Sequence, residues 1–180
     1  MKKLSESSIF AISSLVTLSA GLSACGSAIK VPEVPAAVAV PAGNKPAMSL
    51  NGSGLLTYEC RAKAGAADTF EWAFAGPDAK LTDQGGATVG KYYGGPTWEH
   101  SDGSKVTGKQ LAVSPAAPGN IPLQLVQANP ATGEGKFSGV TYIQRLNTKG
   151  GVAPSDLCNS MTAGTKKMVN YSADYVFYKK

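Results

Sequence analysis

The sequence predicts an all-β fold, an antiparallel β-sandwich or small barrel of roughly 8–10 short strands with little helix. Three observations point there. Twenty-one glycines and 11 prolines are scattered through the 180 residues rather than gathered into a repeat, which excludes collagen, coiled coil and long bundle. Short runs alternate apolar and polar residues with period 2, and turn-forming clusters separate them at about 8–15-residue spacing. Charged residues make up 16% of the chain and apolar ones 43%, a balance that buries a core and excludes a disordered chain.

The first element is an address. Lys2 and Lys3 precede an apolar run from Ile9 to Leu22, which falls short of the roughly 20 residues a spanning helix needs. Leu22-Ser23-Ala24-Cys25 then matches the bacterial lipobox, in which the thiol is lipidated before cleavage. Residues 1–24 are therefore read as a lipoprotein signal peptide, with Cys25 as lipid attachment site and mature N-terminus. Each buried CH₂ of an acyl chain adds about 0.8 kcal/mol of membrane affinity, so two or more chains anchor stably. Gly26 rather than Asp follows the cysteine, which in Gram-negative lipoproteins directs export to the outer membrane. Pro32, Pro35, Pro41 and Pro46 lie among Ala and Val, so residues 25–40 read as a Pro/Ala-rich tether, with Val38–Pro41 a candidate edge strand. Residues 41–180 form a single β domain.

Within it, Leu55–Lys63 reads as a strand ending near Cys60. Phe70, Trp72 and Phe74 share one face of the next, and Gly76-Pro77-Asp78 is expected to break it. Ala79–Thr82 and Thr88–Tyr93 flank Asp83-Gln84-Gly85-Gly86, a hairpin by its turn chemistry. Thr97–His100 and Lys105–Leu111 flank Ser101-Asp102-Gly103-Ser104, a second hairpin. Ile121–Ala128, Gly139–Leu146 and Tyr171–Tyr178 complete the strands. Only Ser155–Asn159 and Met161–Lys167 carry brief helical potential.

Cys60 and Cys158 are the two cysteines left once Cys25 is acylated. In an exported protein an even pair reads as a disulfide. Two Cys and the single His100 cannot complete a zinc shell, so no metal is expected. Charges balance between Gly54 and Ser160, and the basic excess sits at the ends, notably Lys166, Lys167, Lys179 and Lys180. With no basic stripe interleaved with aromatics, nucleic acid is not an expected partner.

Enzyme motifs fail where their chemistry is needed. Gly85–Lys91 matches the start of a P-loop, but Tyr92 stands where Mg²⁺ needs Ser or Thr, and a strand pattern follows where phosphate needs a helix. No G-x-S-x-G elbow accompanies His100. No cofactor is expected.

Tyr92–His100 and Gln144–Pro154 concentrate aromatics, glycines and charge. From them Tyr93, Trp98, Glu99, Asp102, Arg145 and Asn147 form the candidate binding surface, a ring beside carboxylate, guanidinium and amide of the kind that recognises a cell-wall glycan or an envelope protein. These stretches also resemble a known family. Gly95-Pro96-Thr97-Trp98-Glu99, Asp102–Val106, Val140–Arg145, Asn147-Thr148, Gly150-Gly151, Ala153-Pro154 and Cys158 are similar to the motifs of the domain of unknown function 3455 family, as are Tyr58-x-Cys60 and Ala173-Asp174-Tyr175-x-Phe177-Tyr178. Tyr92 and Leu123 depart from the family pattern, where His and Trp are expected. The resemblance implies an exported protein and carries no catalytic residues. The leading expectation is a non-enzymatic lipoprotein of the cell envelope, held by lipidated Cys25, that binds a ligand or partner. The alternatives are an envelope hydrolase using Glu99 or Asp102 as acid or base, and a purely structural or assembly role.

Overall fold

Eight strands follow one another around a closed antiparallel barrel, each paired with its sequence neighbour and the last with the first. They are β1 (Lys45–Ala62), β2 (Phe70–Thr82), β3 (Thr88–Tyr93), β4 (Thr97–His100), β5 (Lys105–Ser114), β6 (Leu123–Ala128), β7 (Val140–Gly150) and β8 (Lys166–Lys179). The computed structural model describes residues 29–66 and 68–180, so the predicted signal peptide and Cys25, the expected lipidation site, lie outside the described residues.

Closure rests on the β1–β8 ladder, which runs from Lys45↔Lys179 to Glu59↔Lys166. Strand β1 starts well before the expected Leu55, because pairing with β8 holds a stretch whose small residues have weak strand propensity alone. Its glycines are required there. A Cβ on Gly52 would stand 2.5 Å from Tyr175 Cε2, and one on Gly54 would stand 2.2 Å from the Asp78 carbonyl oxygen.

The expected break at Gly76-Pro77-Asp78 does not occur. Strand β2 runs through it and absorbs an extra residue as a bulge, with Thr57 opposite Gly76 and Tyr58 opposite Phe74. Pro77 is tolerated because the ladder to β3 starts only at Asp78, so its missing N–H falls beyond that pairing.

Neither brief helix forms. The Asn159 side chain accepts the backbone N–H of Met161 (3.0 Å) and Thr162 (3.2 Å), which closes a local turn, and β8 begins at Lys166. Both predicted hairpins, at Asp83–Gly86 and Ser101–Ser104, are present.

Residues 29–40 do not stand off as a free tether or an edge strand. They lie along the outside of the barrel, with one 3-10 turn at Ala36–Val38. Ile29, Val31, Val34 and Val40 pack on Leu146, Val176 and Tyr178, the outward residues of β7 and β8. Buried Gln144 fastens the segment: its Nε2 donates to the Val38 carbonyl (2.6 Å), and its Oε1 accepts the Tyr178 hydroxyl (2.5 Å).

Inside the barrel, alternation places Tyr171, Ala173, Tyr175 and Phe177 of β8 on one inward row. Trp98 stacks on Tyr92 at 4.7 Å and meets Tyr175 and Phe177 edge-on. One end is stoppered by Phe137 from the β6–β7 loop, fully buried against Phe177 (4.7 Å) and His100 (5.9 Å). The other end is open.

Candidate functional site

The open end is a cavity of about 560 Å³, within the size range of small-molecule sites. Each wall follows from the strand pattern. Inward positions of β1 supply Leu56 and Tyr58, the β2 bulge turns Phe74 and Pro77 toward the opening, β3 supplies Tyr92, and β8 supplies Tyr171 and Tyr175. Gly95 and Pro96 form the β3–β4 lip. Gln110 and Gln124 form the opposite rim, where the Gln124 amide donates to the Gln110 side-chain carbonyl.

Among the described residues, Arg145 is the one charged residue lining this cavity. It lies opposite Gln124 on β6 and Tyr175 on β8, an inward register position of β7. The Pro122 carbonyl accepts from both its Nε (3.2 Å) and its Nη2 (3.0 Å), which fixes the plane of the guanidinium. Among the described residues Arg145 forms no ion pair, and no carboxylate lines the cavity.

The tyrosine hydroxyls around it are kept protonated. Burial pushes the Tyr58, Tyr92, Tyr171 and Tyr175 phenols up, and the charge of Arg145 acts on all four in the opposite direction without overcoming it. Tyr58 donates to the Gly151 carbonyl at 2.7 Å, while the Tyr171 and Tyr175 hydroxyls lie 3.4 Å apart.

The six residues of the candidate surface are not brought together. Trp98 is 1% exposed and belongs to the core; its buried Nε1 has no hydrogen-bond partner among the described residues. Tyr93 and Glu99 meet away from the cavity, hydroxyl to carboxylate at 2.7 Å, with Lys91 and Lys105 at 3.6 and 3.4 Å from that carboxylate. The Tyr93 hydroxyl foremost, then the lysines, hold Glu99 below the usual carboxylate range. Asp102 lies in the β4–β5 turn near the stoppered end. It accepts the Ser104 hydroxyl (2.6 Å), the Ser104 N–H (2.9 Å) and the Lys136 N–H (2.7 Å), so its carboxyl is held far below the ordinary value. Through Lys136 it clamps the loop that carries Phe137. Asn147 adopts φ +48° at a β7 irregularity and donates to Asp174 at 2.8 Å. Arg145 alone of the six lines the cavity.

The tyrosines are the residues that sequence reasoning passed over. The signal for them was Gly52, whose missing Cβ leaves room for the Tyr175 ring. A second depression at the stoppered end gathers Asp83, His100, Lys136 and Lys179, charges of both signs with no convergent set. Among the described residues no cluster of three or more His, Cys, Asp or Glu could hold a metal ion.

The Cys60–Cys158 disulfide is formed, with Cα atoms 5.5 Å apart, and holds the β7–β8 loop to the wall beside the mouth. No curated protein and no solved structure gives a significant match to the chain. A family model does: residues 41–179, from just before β1 to the last residue of β8, match the one described as protein of unknown function (DUF3455), and the chain belongs to that family.

Proposed function

We propose that the chain is a non-enzymatic lipoprotein of the cell envelope whose barrel binds one small molecule in its mouth. The observation that carries this reading is Arg145, which among the described residues has no ion-pair partner and sits with four buried tyrosines in a cavity lined by no carboxylate. A cation turned inward by a strand costs desolvation that a core has no use for, and an eight-stranded barrel is wide enough for one small ligand. The glycan-recognition version based on Trp98 loses its support, since that ring offers no exposed face. A hydrolase reading loses support as well. Glu99 and Asp102 are both biased toward the ionised state by fixed donors, whereas a general acid at neutral pH needs the opposite shift.

Native mass spectrometry tests the binding. The exported protein, incubated with envelope extract, should retain a small-molecule mass that Gln124→Trp, which fills the mouth from its rim, fails to retain. An equal spectrum for the two proteins refutes it. The lipobox supports the anchor, and fractionation tests that part: Cys25→Ser should release the protein from membranes.

A further inference from the structure

We infer that the ligand of the mouth is a monocarboxylate with an apolar body, bound end-on by Arg145. This rests on the binding reading above and adds the chemical class of the ligand. Pro122 already occupies one edge of the guanidinium through Nε and Nη2. The edge left is the fork of Nη1 and Nη2, whose two parallel N–H bonds match the two oxygens of a carboxylate. With its plane fixed in advance, Arg145 needs little further ordering to receive one.

The hydroxyl inventory agrees. Tyr58 has spent its hydrogen on Gly151, but Tyr171 and Tyr175, together with Tyr92 bonded to Tyr175, hold three O–H groups and share two mutual contacts. One donor is therefore left for an acceptor in the cavity. Burial keeps all three phenols protonated, so they present hydrogens and not negative charge.

The number of charges sets the valence. Among the described residues a single cation and no second Lys or Arg lines the cavity, so a dianion such as a phosphate monoester would bring one charge with no partner into a half-enclosed site. The body of such a ligand would lie against Leu56, Phe74, Pro77, Pro96 and Ile121, the apolar part of the wall.

Isothermal titration of the purified mature protein with three probes of one shape tests this: 2-naphthoate, 2-naphthamide and naphthalene-2,6-dicarboxylate. The acid should bind at least about tenfold more tightly than the amide at low salt, and more tightly than the dicarboxylate. Arg145→Gln should erase the preference for acid over amide. Arg145→Lys should keep part of it, the charge without the fork. An amide that binds as well as the acid to the native protein overturns the carboxylate assignment, and that comparison requires no variant. A tighter dicarboxylate overturns the single charge. If neither acid nor amide binds while the extract mass is retained, the ligand class is wrong and the binding reading stands; if that mass is absent too, both fall.

Discussion

Removing the Cys60–Cys158 bridge, as Cys60→Ala with Cys158→Ser, should destabilise the barrel by about 2–5 kcal/mol. The bridge spans a sequence separation of 98. Chain entropy alone assigns a closed loop of about 100 residues roughly 4.7 kcal/mol, and residual denatured-state structure reduces that figure. Little in the tied segment compensates, because Leu157 is 71% and Met161 86% exposed. What stays after the bond is cut is mainly hydrogen bonding: Trp72 Nε1 to the Asp156 carbonyl at 2.9 Å, Gly164 N–H to the Cys60 carbonyl at 2.8 Å, and Cys60 N–H to the Thr165 carbonyl at 2.9 Å. At about 2–4 °C per kcal/mol for a domain of this size, the melting temperature should fall on the order of 10 °C. Equilibrium urea unfolding is the assay. The midpoint should drop and the slope should rise, since the freed denatured chain exposes more surface. A loss below about 1 kcal/mol with unchanged slope would refute the reasoning, as would two titratable thiols in the native exported protein.

Other consequences are equally direct. Phe137→Ala should cost about 3–5 kcal/mol by emptying the stopper, and accelerated amide exchange in β4 and β8 should accompany it. Gln144→Ala leaves the Val38 carbonyl and the Tyr178 hydroxyl without partners, at about 1–3 kcal/mol for each left unsatisfied; limited proteolysis should then cut within residues 29–40 before the barrel. The depressed Asp102 carboxyl stabilises the fold fully above its unfolded value, near pH 4, and this contribution drains away as pH falls below it. Acid titration of stability should therefore be steeper below about pH 4 for the native protein than for Asp102→Asn, and parallel curves would remove Asp102 from the clamp on the Phe137 loop.

Local chemistry was legible in the sequence because it acts over a few residues. Alternation over Phe70–Phe74, Thr88–Tyr93 and Tyr171–Tyr178 specified strands, and Asp83–Gly86 and Ser101–Ser104 specified their turns. Cysteine parity specified the bridge. The tertiary structure decided what depends on distant pairing. Period 2 states that Tyr171 and Tyr175 share a face, but only closure of β8 onto β1 makes that face the interior. The same closure carried strand through Lys45–Gly54, and pairing of β2 with β1 carried it across Pro77, against their local propensity. Adjacent residues point to opposite sides of a strand, so Trp98 and Glu99, neighbours in sequence, were divided between the core and the outer face. Arg145 met Tyr58, Tyr92, Tyr171 and Tyr175 for the converse reason: β1, β3, β7 and β8 bring their inward rows to one mouth across chain separations that no local pattern records.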